Sequence, residues 1–127
     1  MQVELIERDG LRVAHILATR VSLRSRQDAL DAMFSGGYDD VDAIVLQASC
    51  LHRDFFSLPT GVAGEITQTF ANYRLRLAVV LDVDLEPGAN LRAFMAESNR
   101  GRQLCFAADL DAAMRVLAGP SAPGLPA

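Results

Sequence analysis

The chain of 127 residues contains no tryptophan, no lysine and only two cysteines. Cys50 and Cys105 lie far apart and form no CxxC pair, which argues against a disulfide framework or a zinc ribbon and in favour of a reducing compartment. No apolar run reaches the roughly 18 residues that a membrane helix needs. Glu4 also interrupts the first apolar segment, where a signal peptide would be continuous. We therefore expect a soluble, cytoplasmic protein without a membrane partner.

Basic charge is scarce as well. All twelve basic residues are arginines, they are scattered along the chain, and sixteen acidic residues bring the formal net charge to −4. A domain that binds nucleic acid gathers its basic residues into one patch, so nucleic acid is not an expected partner. Half of the residues are hydrophobic and 22% are charged, which is typical of one compact domain. The chain carries no known catalytic signature, and we predict no cofactor.

A β-hairpin is predicted at the start of the chain. The pair Asp9-Gly10 favours a tight turn between two segments of alternating polarity. Counting outward from this turn places Leu5 opposite Ala14, and it puts their side chains on the same face of the hairpin. We expect that face to be part of the core.

The other face of the hairpin carries Glu4, Ile6, Val13 and His15, and we expect it to be less covered. Glu4 and His15 are cross-strand neighbours, a pairing that needs no catalytic role. Ile6 and Val13 are also opposite each other, and as an apolar patch they would support a homodimer through the hairpin.

Helices and strands alternate after the hairpin. Ser25 and Asp28 resemble a capping box at the start of the first helix. A second helix is predicted over about residues 60–73 from its apolar spacing, a third ends near Gly101, and Asp109 caps the last.

Residues 75–81 are apolar apart from Arg76, with apolar side chains on both faces, as in an interior parallel strand. The predicted order is ββαβαβαβα, an α/β domain over residues 1–118 with a mainly parallel five-stranded sheet. Residues 119–127 are predicted to form a flexible tail. The order of elements is similar to that of the sulphate-transporter and anti-sigma-factor-antagonist (STAS) domains.

Four segments of the sequence form a further pattern: Asp54-Phe55-Phe56, Thr60-Gly61-Val62-Ala63-Gly64-Glu65, Asn72-Tyr73-Arg74 with Leu77-Ala78, and Glu97-Ser98-Asn99-Arg100-Gly101-Arg102-Gln103. Through them the sequence resembles the bacterial domain-of-unknown-function family 4180 over residues 1 to about 118. The resemblance implies a fold and the location of a site, but it implies no reaction. One position departs from the family pattern, because Leu81 precedes Asp82 where a glycine is expected.

Polar residues and glycines are densest over residues 54–65, where a long loop meets a predicted helix start. Binding sites of parallel α/β domains gather at such junctions, because free backbone N–H groups and the helix dipole favour negative charge there. Of the two adjacent phenylalanines in this loop, one should face the core. The predicted binding residues are Asp54, Phe55, Phe56, Thr60, Gly61, Glu65 and Asn72.

Our first hypothesis is a non-enzymatic regulatory or protein-interaction module that binds a protein partner through residues 54–65. In STAS domains the same junction carries a Ser or Thr before Gly that a partner kinase phosphorylates. Thr60-Gly61 matches this pair, although Leu58-Pro59 replaces the Asp-Ser that precedes it. The resemblance therefore implies phosphorylation of Thr60, where the helix start would stabilise a phosphate.

Our second hypothesis is a small-molecule-binding domain or a modest enzyme, with Glu65 and Asn72 lining a cleft near Phe55 and Phe56. Structural interpretations compete with both hypotheses. Glu65, Gln68 and Asn72 share one helix face that is typical of a solvated surface. The two glycines of this segment also permit close packing of helix against sheet.

Other polar clusters predict no site. Cys50, His52 and Asp54 alternate within a predicted loop, residues 47–59. An extended segment with this spacing would place all three on one side, but the spacing is awkward around one ion, so no metal site is predicted. The three aspartates within residues 39–42 are interpreted as a solvated turn. Residues 97–100 are expected to satisfy the end of a helix at the opposite end of the sheet.

Overall fold

The computed structural model describes residues 2–8, 10–17, 23–34, 41–82, 88–101 and 103–118. Its elements follow the predicted order. The strands are β1 (Gln2–Arg8), β2 (Leu11–Leu17), β3 (Ala43–Gln47), β4 (Arg76–Val80) and β5 (Leu104–Ala107), and the helices are α1 (Arg26–Phe34), α2 (Val62–Asn72), α3 (Ala89–Gly101) and α4 (Leu110–Ala118). None of these helices is long and apolar enough to cross a membrane.

The five strands form one sheet in the order β1-β2-β3-β4-β5. β1 pairs with β2 antiparallel in the predicted register, with Leu5 opposite Ala14 and Glu4 opposite His15. All other neighbours are parallel, and β4 lies between β3 and β5. The prediction of an interior strand at residues 75–81 is therefore confirmed.

Helices cover the sheet on both faces. Strands β2 to β5 follow one another across the sheet, so right-handed crossovers place α1, α2 and α3 on one face. A buried cluster confirms this, because Met33 of α1, Ile66 of α2 and Ile44 of β3 belong to it and Phe94 of α3 packs against it. Helix α4 follows the last strand and forms a second cluster on the opposite face through Met114.

The prediction for the two faces of the hairpin was wrong in part. Val13 is fully buried and His15 is 7% exposed, whereas Leu5 on the predicted core face is 55% exposed. The reason is tertiary: Val13 belongs to the cluster under α4, which leaves Ile6 half-buried beside it. The cluster on the other face includes Ala14 but does not reach Leu5 on the edge strand.

Local capping signals are confirmed. The backbone N–H of Asp28 donates to Ser25 Oγ at 3.2 Å, and the N–H of Ser25 donates to the Asp28 carboxylate at 3.2 Å, which forms a capping box before α1. Asp109 accepts from the Ala112 N–H at 2.8 Å at the start of α4. Of the positions used in the sequence predictions, Asp9, the aspartates at 39 and 40, Arg102 and the tail 119–127 lie outside the described residues.

Candidate functional site

The segment between β3 and α2 consists of three short 3-10 turns, Ala48–Cys50, Arg53–Phe56 and Leu58–Thr60. Phe55 attaches the second turn to the core and is 1% exposed. Its ring lies 5.2 Å from the ring of Phe56 and 6.4 Å from that of Phe106 on β5, both edge to face. As predicted, one of the two adjacent phenylalanines faces the core, while Phe56 is half-buried. The segment is thus held against the sheet by aromatic packing.

The Thr60 hydroxyl connects the turns to α2. Its Oγ lies 2.7 Å from the carbonyl oxygens of both Asp54 and Ser57, to which it can donate, and it accepts the Val62 N–H at 3.2 Å. Gly61 follows with a φ of 79°, a left-handed conformation that disfavours side chains. This conformation explains why α2 begins at Val62 rather than at Thr60 as predicted.

Cys50, His52 and Asp54 lie in and between two 3-10 turns, so they do not share one side of an extended segment. Cys50 is buried in the first turn, and His52 caps the second turn by accepting the Asp54 N–H on Nδ1 at 3.1 Å. The Asp54 carboxylate lies 3.5 Å from the same nitrogen. His52 and Asp54 therefore have a local structural role, and the described residues contain no group of three side chains able to hold a metal ion.

Glu65 and Asn72 lie on the exposed face of α2. The Gln68 amide donates to Asn72 Oδ1 at 2.9 Å. Asn72 lies two helical turns beyond Glu65, about 10 Å along the helix axis. The structure therefore joins Asp54, Phe55, Phe56, Thr60 and Gly61 in one set of turns with Glu65 in the first turn of α2, and it places Asn72 apart from them.

Gly64 contradicts the interpretation that glycines in this segment permit close packing. It is exposed in the first turn of α2, and a Cβ atom added to it would meet no atom within 4 Å. Glycine costs an exposed helix position about 0.5–1 kcal/mol relative to alanine. Neither packing nor a positive φ requires glycine here.

A polar pair at the carboxyl edge of the sheet was not among the predicted binding residues. Asp82, directly after β4, accepts the Ser49 hydroxyl at 2.7 Å and the Ser49 N–H at 3.0 Å. Its position after an interior parallel strand is a signal that sequence reasoning could have used. These two hydrogen bonds connect the first 3-10 turn to the residues after β4, so they stabilise the segment between β3 and α2.

Asn99 lies in the last turn of α3, which ends at Gly101 as predicted. Its side chain makes a contact that was not predicted, because it binds the backbone of Phe106 on β5: Oδ1 accepts the N–H at 2.7 Å, and Nδ2 lies 3.4 Å from the carbonyl oxygen. Arg100, expected at the last helix carbonyls, contacts Glu97 at 3.3 Å.

A groove of about 210 Å³ lies beside the hairpin rather than at residues 54–65. It is lined by Leu5, Ile6, Glu7, Arg12, Val13 and Val41.

Cys105 on β5 has a shifted pKa. Burial raises the pKa of its thiol to about 11, and the charge of Arg76 opposes this shift.

Comparison with known proteins gives one match. The sequence model described as "Domain of unknown function (DUF4180)" matches residues 8–117, which includes every predicted binding residue. Neither a curated protein nor a solved structure matches the chain. The similarity to STAS domains therefore stays a prediction from the order of elements. The chain belongs to the DUF4180 family.

Proposed function

We propose that the protein is a non-enzymatic regulatory or interaction module that binds a protein partner through residues 54–65. The observation that carries this proposal is Gly64. This glycine weakens an exposed helix turn and serves no packing need. It leaves its own backbone at the start of α2 without a side chain to cover it. An uncovered backbone lets the backbone or a flat side chain of a partner approach closely.

The surroundings of Gly64 support the same function. Packing of Phe55 in the core and the hydrogen bonds of the Thr60 hydroxyl hold the turns before α2 in place. The exposed groups of these turns therefore have a defined geometry. Thr60 and Glu65 are exposed on either side of Gly64. Binding residues on a loop that a rigid scaffold positions are typical of recognition surfaces.

Phosphorylation of Thr60 is the regulation that we propose for this surface. A kinase would transfer the terminal phosphoryl group of ATP to the Thr60 hydroxyl oxygen and release ADP and the hydroxyl proton. This removes the bond that Thr60 donates to the Asp54 or Ser57 carbonyl oxygen. The added negative charge would face the amino end of α2, where the helix dipole stabilises it. The turns would loosen while the surface gains charge, so partner binding would change.

The small-molecule alternative has less support. Phe55 is in the core and so presents no ring to a cleft, and Asn72 is two turns away from Glu65. Glu65 and Asn72 are both exposed.

The experiment compares two matched glycine variants. A Cβ would meet no atom within 4 Å at either Gly64 or Gly101, and both positions are exposed. We expect Gly64→Gln to fold normally and to lose the proteins that the tagged wild-type chain retains from a lysate of its own cells. Gly101→Gln should retain them.

Circular dichroism of both variants controls for folding. Retention of the same proteins by folded Gly64→Gln would contradict the proposal, and so would their loss from Gly101→Gln alone. Crystals of protein purified from its own cells test the small-molecule alternative, which predicts ligand density beside Phe55 and Glu65.

A further inference from the structure

The two edges of the sheet differ in how their backbone groups are satisfied. The Leu77 N–H donates to the Gln103 carbonyl oxygen at 2.9 Å, and the Leu81 N–H donates to the Ala107 carbonyl oxygen at 2.8 Å. Gln103 and Ala107 therefore direct their backbone groups toward β4. Phe106 therefore points its N–H and carbonyl groups away from the sheet. Asn99 binds both of them, so the middle of this edge is closed.

The edge formed by β1 has no equivalent cover in the part of the chain that the structure describes. The Arg12 carbonyl accepts the Asp42 N–H at 2.7 Å, so Arg12 bonds toward β3 rather than toward β1. Its cross-strand neighbour Glu7 then directs its backbone groups outward, as does Leu5 two residues earlier. An edge strand with such groups is a template for pairing with another strand.

We propose that a second copy of this chain pairs with β1 in antiparallel orientation, with the two-fold axis at Ile6. The charges of β1 are self-complementary in this register, since Glu4 lies opposite the partner's Arg8 and Arg8 opposite the partner's Glu4. Ile6 lies opposite the partner's Ile6. The outward backbone groups of Leu5 meet those of the partner's Glu7.

Neighbouring registers lack this complementarity. An axis at Leu5 sets Glu4 opposite the partner's Ile6, and an axis at Glu4 sets two carboxylates against each other. The side chains of Glu4 and Arg8 are 58% and 46% exposed, so both are available to a partner. Arg8 contacts Asp111 at 3.1 Å, and its guanidinium has further donors for a second carboxylate.

The same register covers an exposed apolar side chain of the edge. Leu5 is 55% exposed and lies on the rim of the groove that Glu7, Arg12 and Val41 also line. The partner's Leu5 would lie opposite Glu7, and therefore at the level of this groove. The dimer does not depend on Val13, which is already buried under α4.

Cysteine cross-linking tests the register. Both native cysteines are buried, so we expect a covalent dimer to form only through a cysteine introduced on β1. Ile6→Cys places two thiols opposite each other within the span of a disulfide, and we expect a covalent dimer on oxidation. Leu5→Cys places them on diagonal positions beyond that span, and we expect no covalent dimer.

Charge exchange tests the contact itself by light scattering. Glu4→Arg and Arg8→Glu each set like charges opposite each other, so each variant alone should shift from twice the monomer mass to the monomer mass. An equimolar mixture of the two should return to twice the monomer mass, because opposite charges face each other again. Phe34→Glu, which changes an apolar residue that is 65% exposed on α1, should remain dimeric.

A monomeric wild-type chain at tens of micromolar, or a dimer that persists in both charge variants, would overturn the proposal. Cross-linking of Leu5→Cys in place of Ile6→Cys would overturn the register and with it the proposal. The dimer shares no residue with the surface proposed at residues 54–65, so either proposal can fail without the other.

Discussion

Thr60 is the residue on which the turns before α2 depend most. Its hydroxyl satisfies the Val62 N–H at the helix start and donates to a carbonyl of the preceding turns. Loss of these hydrogen bonds should cost about 1 kcal/mol of unfolding free energy in Thr60→Ala. Thr60→Ser keeps the hydroxyl and should lose much less. Urea denaturation measures both, and equal losses would show that the hydroxyl does not stabilise the turns.

Glu65 is exposed in the first turn of α2. Glu65→Gln should therefore change the unfolding free energy by no more than about 0.5 kcal/mol, like Glu97→Gln on the exposed part of α3. If the surface at residues 54–65 binds the partner, only Glu65→Gln weakens the complex. Equal binding by both variants, together with loss on changing Ser98 or Asn99, would move the binding surface to α3.

Cys105 makes stability depend on pH in the alkaline range. Burial raises its pKa from 9.0 to about 11, so between these values the unfolded chain releases the thiol proton while the folded chain keeps it. The contribution of this group to the unfolding free energy is constant below about pH 9 and falls as the pH rises toward 11. Denaturation at several alkaline pH values should show a steeper fall for the wild type than for Cys105→Ala. Identical slopes would contradict this origin.

Two glycines at the start of α2 have opposite roles: Gly61 precedes the helix and Gly64 lies in its first turn. Gly61 has a φ of 79°, so Gly61→Ala should cost about 1 kcal/mol through left-handed strain. Gly64 is helical with open space around it, so Gly64→Ala should stabilise the protein by about 0.5 kcal/mol. Thermal unfolding should therefore shift in opposite directions for the two variants. A loss of stability in Gly64→Ala would show that the fold requires glycine at this position.

Strand β5 depends on a side chain of α3 for its outer edge. Asn99→Ala would leave the N–H and carbonyl of Phe106 without their partner, at a cost of about 1–2 kcal/mol. Asn72→Ala on exposed α2 removes only a surface contact with Gln68 and is the matched control. Chemical denaturation should separate the two variants. Similar losses in both would show that the contact with β5 adds nothing.

Local signals predicted most of the fold of the whole molecule. The hairpin register and the caps at Ser25 and Asp109 follow from residues close in sequence, and all three are confirmed. The covered face of β2 could not be predicted in the same way, because Val13 is buried by α4, which is distant from it in sequence. Long-range packing decided that feature.

The candidate site was predictable to a smaller extent. The aromatic pair and the helix start marked residues 54–65, but the three 3-10 turns carry no periodic pattern that a sequence can reveal. The contact of Asn99 with Phe106 depends on how α3 meets β5. The open space at Gly64 likewise depends on the position of α2 in the fold.

Amide hydrogen exchange tests most directly whether a partner binds at the start of α2. It is measured on the chain alone and in complex with a protein that the wild type retains and Gly64→Gln loses. We predict slower exchange in the complex at residues 60–65, with unchanged exchange over residues 97–101. Protection confined to residues 97–101, or absent from residues 60–65, would contradict the proposed function.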